Sequence, residues 1–540
     1  MIICNDTSGY FFLAPKKCRF IAILLILLST LITYSQPKKN TSVEPEDADF
    51  LFKYQNYKDA ISIYLQLLRS DPDNYLYNYR LGICYLNTHL NKSQAVKYFK
   101  ACTTNPKADD NLWFMLGKAF HINHQFDSAL TYYNIYKEIA SKKKTDKDKV
   151  ELAIQQANNA KQLIINPVKV SFTNLGPNVN SEYPDYFPWV TADEKKLFFT
   201  SRRKGVHAHE IETDGYYSSD IFMSEDINGK WEKVKNLPGP GINTNLDEEI
   251  VGMRPDGEEL IIYKDHIKEF GDLYYSLKLS ANFGRLEKYG PQINAELEYS
   301  GSIAEDDQTF FFVRKSNLIN SNQDIFYSRR LPNGKWGLPI SAGPVINTSY
   351  NEDFPYLSMD GKTLYFSSEG HNSMGGYDLF KCEWNNENNA FGEPVNLGFP
   401  VNTADDERNI AILPDNRAGY ISTSRKDGLG DLDIYRVKFE DHEQPYTFIR
   451  LNITYSDSNY CSNYHTNISI TKKNEGKILS KYKPNSITGC SLLALTPGSY
   501  DIYIESEGYG KLKDTIEISD IGAIQHEERK NFTLQKTTDR

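Results

Sequence analysis

Cysteine is scarce in this chain, seven in 540 residues, and no two of them form a C-x-x-C pair. Without that spacing there is no cysteine-based zinc site to nominate. Catalytic signatures are missing as well. There is no H-E-x-x-H, no Walker-type glycine loop, no G-x-S-x-G and no S-x-x-K with supporting motifs. The residues therefore nominate no catalytic group, no metal and no cofactor, and the expectation is a protein that is not an enzyme. Lys and Arg form no large block beyond the N-terminus and the net charge is −10. Phosphate backbones need clustered cations, so nucleic acid is not an expected partner. After residue 35 no stretch is apolar enough to span a bilayer.

The first 35 residues stand apart. Lys16, Lys17 and Arg19 precede the apolar run Phe20–Ile32, and small Ser35 follows. A basic start, a short apolar core and a small residue at its exit read as a secretory signal peptide, with an uncleaved anchor as the alternative. Export implies an oxidising compartment. Cys461 and Cys490 share the last domain and either pair there or sit as two small buried hydrophobes. What the chain has in plenty is aromatics, 37 Tyr and 28 Phe, which favour strands.

Residues 44–164 nevertheless read helical, with apolar positions three to four apart and turns at Asp71-Pro72-Asp73 and Asn105-Pro106. The stretch repeats on Ala60, Ala95 and Ala129, and the preceding helices carry Leu81-Gly82 with Tyr85, and Trp113 with Leu116-Gly117 and Phe120. This pattern resembles three tetratricopeptide repeats stacked as an α-solenoid, with 147–164 as a capping helix. The resemblance implies a concave groove for a partner segment. By repeat position Tyr79, Ile83, Phe114, Lys118 and His121 would face it.

A second repeat fills 167–440. Five Val/Ile-Asn steps occur, at Asn180, Asn243, Asn294, Asn347 and Asn402. Thirteen residues after each asparagine stands an acid (Asp193, Asp256, Asp307, Asp360, Asp415), and eighteen after it a strand residue (Phe198, Ile261, Phe312, Tyr365, Tyr420). A later strand opens on Asp220, Asp272, Asp324, Asp378 or Asp433. Each unit is thus about four short strands, with D-G-type hairpin turns, the mark of a β-propeller. The fifth copy lacks a fourth strand, so strand 167–175 is expected to close a five-bladed ring. The copies resemble WD40-like (Tol-B-like) propeller repeats of Bacteroidetes-type envelope proteins. Acids near the start of each innermost strand, Asp185, Glu248, Glu298, Glu352 and Glu407, would converge at one channel mouth as a cation or basic-peptide ring, or else hold the inter-blade links.

Residues 446–540 read as short alternating strands, and Leu495–Tyr509 resembles the carboxypeptidase-regulatory-like β-sandwich. The expected fold is thus a multidomain α plus all-β chain. Its order resembles an OmpA-family, type IX secretion-associated architecture without the C-terminal OmpA-like domain, whose absence argues against direct peptidoglycan anchoring. The resemblance implies a periplasmic or outer-membrane-associated scaffold holding envelope proteins through groove and propeller face. The alternatives are a carbohydrate- or peptide-binding propeller for nutrient uptake, and an enzyme with its site in the channel.

Overall fold

The computed structural model describes residues 44–540 apart from 141–143, 208–209, 255, 267–270, 280–281, 305–306, 317–321, 415, 441–446, 458–464, 474–477, 486–488, 519–526 and 538–540. The expected signal peptide, Asp415 and Cys461 lie outside the described residues. Two compact units form: 44–157 with 209–218 and 265–271, and the remainder from 158 to 540.

The first unit holds helices Pro45–Lys53, Tyr57–Ser70, Tyr75–Leu86, Ala95–Cys102, Asn111–Ile122, Phe126–Ala140 and Lys144–Leu163, the last running past its boundary. Caps start two of them: Asn56 Oδ1 accepts from Asp59 N–H and Asn74 Oδ1 from Tyr77 N–H, both at 3.1 Å. Ala60, Ala95 and Ala129 are fully buried. A Cβ on Gly82 would stand 2.7 Å from the Phe99 ring, and one on Gly117 2.5 Å from Tyr133, so both glycines mark where a helix takes an aromatic ring against its backbone. Among the described residues no helix is long and apolar enough to cross a membrane.

The second unit is built of strands. Five successive sheets span 170–439, the first of them running Asp185–Val190, Lys196–Ser201, Asp220–Ile227, then two short outer pieces. The inner strands of the others are Glu248–Met253, Leu297–Ile303, Glu352–Leu357 and Ile410–Ile412. In the fifth sheet the outer place is taken by Val170–Asn174, which pairs antiparallel with Asp433–Phe439. The chain before the first repeat thus completes the last. The ring also closes at its centre, where Asn409 Nδ2 donates to Pro188 O at 3.2 Å. This is a β-propeller-like fold.

The repeated asparagines explain the regularity. Asn180 Oδ1 accepts from Ile434 N–H (2.9 Å) and its Nδ2 donates to Ile434 O (3.0 Å). Asn243 does the same to Ile221, Asn294 to Leu273, Asn347 to Ile325 and Asn402 to Leu379. One side-chain amide therefore satisfies both backbone groups of a residue in the preceding sheet, as a strand neighbour would. Gly375 and Gly376 belong to the same joint. A Cβ on Gly375 would lie 2.5 Å from Thr403 O and one on Gly376 1.7 Å from Asp406 Oδ1.

Residues 447–534 form a sandwich of a three-stranded and a four-stranded sheet, closed around Ile449, Leu451, Ile470, Ile502 and Ile516. It rests on the D-G-turn end of the ring. Phe448 and Leu492 pack with Ala192 and Met359, and Arg450 Nη2 donates to Asp256 O at 3.1 Å. Lys483 Nζ donates to Gln308 Oε1 at 3.0 Å.

Candidate binding site at the channel mouth

Successive residues of a strand point to opposite sides. The expected acid ring is decided by that alternation. Asp185, Glu248, Glu298, Glu352 and Glu407 are all fully buried, and none lines the channel as a free ring. Each folds back on its own link. Ser181 N–H donates to Asp185 Oδ2 (2.7 Å), Thr244 N–H to Glu248 Oε2 (2.8 Å), Glu296 N–H to Glu298 Oε1 (3.1 Å), Thr348 N–H to Glu352 Oε2 (3.0 Å) and Thr403 N–H to Glu407 Oε2 (2.7 Å). Cations from the same sheets meet three of them: Arg203 on Asp185, Lys264 on Glu248 at 2.9 Å and Arg314 on Glu298 at 2.7 Å. Of the two readings of these acids, the links are what the geometry supports.

Glu352 has hydroxyls instead, Ser368 Oγ and Thr348 Oγ1, each donating at 2.7 Å. Burial pushes its carboxyl up to about 7. Burial does the same to Asp378 and Asp220, each to about 7, and moves Glu407 well above its ordinary range. The sign follows. A carboxyl raised by folding binds its proton more tightly folded than unfolded, so its contribution is full below about pH 4 and is lost as pH rises through about 7. The thermal midpoint is expected to fall by several degrees between pH 5.5 and 8.5, read by circular dichroism, and Glu352→Gln should flatten that slope.

The channel belongs to the next residue. Six positions after each repeated asparagine stand Tyr186, Glu249, Ser300, Asp353 and Arg408. Tyr186 Oη donates to Glu249 Oε1 at 2.7 Å, Ser300 Oγ to Asp353 Oδ1 at 2.7 Å, and Arg408 Nη2 to Asp353 Oδ2 at 3.1 Å. All five sheets contribute one side chain to this belt. Register shifts follow it in the inner strands, between Tyr186 and Trp189 and between Asp353 and Tyr356. Phe187 and Phe354 there take positive φ of 53° and 46°. Their rings meet across the channel at 4.3 Å, with Trp189 and Tyr356 beneath at 5.6 Å. Two aromatic pairs thus bridge the first and fourth sheets below the belt.

Loop residues surround the belt. Asp247 Oδ1 accepts from Ser219 N–H at 2.9 Å and Asp406 Oδ1 from Tyr377 N–H at 3.1 Å. Glu369 Oε2 accepts from Asn351 Nδ2 at 2.6 Å, and the Arg408 guanidinium lies 4.5 Å over the Tyr377 ring. Burial raises Glu249 and Glu369 to about 7, against the lowering pull of Arg408. Among the described residues the mouth thus holds five carboxyls (Asp247, Glu249, Asp353, Glu369, Asp406) and two guanidiniums, Arg408 and Arg202, whose positive charge favours the ionised forms of Glu249 and Tyr186. Such a cup can take a cationic group, and carboxyls poised near neutrality can donate or accept a proton. Among the described residues no group of three or more His, Cys, Asp or Glu is placed to hold a metal ion.

The expected helical groove is corrected in part. Phe114 and His121 are buried, not presented to a partner. Phe114 packs on Tyr133 and Tyr136 with Lys149 of the following helix 4.0 Å over its ring, and His121 meets Phe126 and Tyr133. Tyr79, Ile83 and Lys118 are half-buried. Tyr79 stacks on Tyr75, and burial lifts its hydroxyl to about 12. Cys490 Sγ lies 3.1 Å from Asn452 Oδ1. Its expected partner, Cys461, is outside the described residues.

No protein-family profile matches the chain, and no curated protein matches it. Solved structures are similar in fold. A glycoside hydrolase is 8% identical with a TM-score of 0.37, covering 52% of this chain and 95% of its own. An endo-arabinase from Bacteroides thetaiotaomicron is 13% identical with a TM-score of 0.31, covering 50% and 97%. TolB from Acinetobacter baumannii is 14% identical with a TM-score of 0.29, covering 54% and 71%. These neighbours are consistent with a Tol-B-like propeller fold. The expectation of a protein that is not an enzyme is corrected to this extent: the solved structures of similar fold include glycoside hydrolases.

Proposed function

We propose that this is an exported envelope protein, located in the periplasm or at the periplasmic face of the outer membrane, that holds protein partners. The observation that carries this reading is the excess of carboxyls in the channel mouth, five against two guanidiniums among the described residues, above the paired rings of Phe187 and Phe354. Such a cup suits a lysine or arginine side chain of a partner segment. The ring of five sheets is read as a five-bladed Tol-B-like propeller, the helices as tetratricopeptide repeats offering a second protein-binding surface, and the sandwich as carboxypeptidase-regulatory-like. A place in type IX secretion or gliding assemblies belongs to the same proposal.

The test is direct. A fluorescent nona-arginine peptide should bind the full chain at pH 7, and Asp353→Asn, which removes a buried charge beneath the mouth, should weaken it about tenfold. Glu352→Gln, at a link, should leave binding unchanged. Equal binding by Asp353→Asn would remove the mouth from the reading. Crosslinking from native envelopes, with and without residues 44–157, then asks which partners depend on the helices.

A second reading is hydrolysis at the same mouth. It is favoured by Glu249 and Glu369, raised to about 7 beside further carboxyls, the kind of arrangement acid–base catalysis uses. Turnover of arabinan or other glycans that Glu249→Gln abolishes would favour it over the first.

A further inference from the structure

One side chain of the protein already sits in the mouth as a guest would. Arg408 stands just before the inner strand of the fifth sheet, yet it leans on the fourth. Its Nη2 donates to Asp353 Oδ2 at 3.1 Å, and its guanidinium lies 4.5 Å over the Tyr377 ring. Asp353 is on the inner strand of the fourth sheet, and Tyr377 leads into that sheet's strand Asp378–Asn385. Glu369, one residue past strand Thr363–Ser368, and Asp406 complete the surroundings. Burial opposes the charge of Arg408, and Tyr377, Asp353, Asp406 and Glu369 outweigh it and hold the guanidinium ionised. Two other belt residues reach forward instead, Tyr186 to Glu249 of the next sheet and Ser300 to Asp353 of the next.

Its bonding is thin for an arginine of this ring. Arg203, Arg314 and Arg330 each make three side-chain hydrogen bonds, Nε among the donors. Arg408 makes one to a described residue, and its buried Nε meets no acceptor among them. A guanidinium is a planar fork of several N–H donors, so this one is largely unspent. The cause is its tether. Fixed six positions after Asn402, Arg408 reaches the pocket from the fifth sheet with a single Nη. An arginine arriving along the open mouth is not held to that approach. It can lay its plane on Tyr377 while two nitrogens meet carboxylate oxygens. A lysine cannot, because its ammonium is a point charge with no plane to stack.

We propose that Asp353, Glu369, Asp406 and Tyr377 form an arginine site, and that Arg408 fills it as a displaceable internal occupant until an arginine of a partner segment takes its place. The inference rests on the mouth being the partner site. It adds that the mouth reads arginine over lysine, and that the chain's own arginine holds binding in check.

Fluorescence anisotropy tests it, with nona-arginine and nona-lysine peptides titrated into the full chain, Arg408→Lys and Arg408→Ala at physiological ionic strength. Circular dichroism checks that both variants fold. The wild type should prefer nona-arginine. Arg408→Lys keeps the charge but frees the face of Tyr377, so it should bind nona-arginine about fivefold or more tighter than the wild type, with a smaller gain for nona-lysine. Arg408→Ala, if folded, should bind nona-arginine tighter still. Weaker binding of nona-arginine by Arg408→Lys would make Arg408 a positioning residue and overturn the proposal. Unchanged binding, or equal gains for the two peptides, would overturn it as well and leave the mouth standing as a partner site. Binding of neither peptide by any of the three proteins would remove both the proposal and the mouth reading.

Discussion

Arg254→Ala is expected to cost about 3–5 kcal/mol of stability, the usual loss when one partner of a buried ion pair is removed. Arg254 is fully buried, with Nε 3.1 Å from Asp256 Oδ2 and Nη1 3.5 Å from Asp307 Oδ1. These two acids are hairpin-turn residues of the second and third repeats, and the sandwich seals one of them in by way of Arg450. Without the guanidinium both carboxyls stay buried with less compensation. Urea unfolding of the full chain should show the drop in the midpoint. Adding Asp256→Asn to Arg254→Ala should recover part of it, because the second change removes one of the uncompensated charges. A loss below about 1 kcal/mol would show that the pair is not closed off from water as described.

Thr173→Pro should be nearly as damaging, by about 3 kcal/mol or more, because proline removes a ladder donor. Leu175 N–H donates to Ile434 O at 3.3 Å, and Lys169 O accepts from Glu440 N–H at 3.0 Å. The two-residue period of an antiparallel pair then turns the Thr173 N–H toward Arg436, its register partner. Proline is tolerated on outer strands when its missing N–H would face solvent. Here it would face the sheet, in the strand that closes the ring. Ser171→Pro has the same orientation and should behave alike, whereas Phe172→Pro should cost less through the ladder. A thermal melt of the three variants separates backbone pairing from side-chain packing.

Much of this was readable from residue spacing, and the exceptions have physical causes. The hairpins, the ring and its closing strand followed from turn acids at a constant distance from an asparagine, because turn chemistry is local. The asparagine's own role was invisible, since its partners lie in the preceding sheet. Glu352 and Asp353 show the limit most sharply. The repeat marks both positions equally, but one residue of offset along a strand separates a link from the channel. Constancy of the sixth position after the asparagine was a usable signal, hidden because its residue type changes from Tyr to Glu, Ser, Asp and Arg. The helical positions failed differently. Phe114 and His121 follow the repeat, yet rings from Phe126–Ala140 and the lysine of the next helix cover them, and no repeat pattern encodes that cover.

The closing strand has a consequence in time. Val170 and its partner Phe439 are joined by some 270 residues of chain, so this contact is among the longest-range that the ring makes. Loop closure over such a span is slow and unrewarded until the last sheet exists. As the chain emerges from its N-terminus, strand Val170–Asn174 must wait through four complete sheets before it has anywhere to pair. During that wait its backbone donors and acceptors are open to other chains, the exposure that invites misassembly. Shortages of whatever shields newly made chains should therefore show first as proteolysis near residue 170.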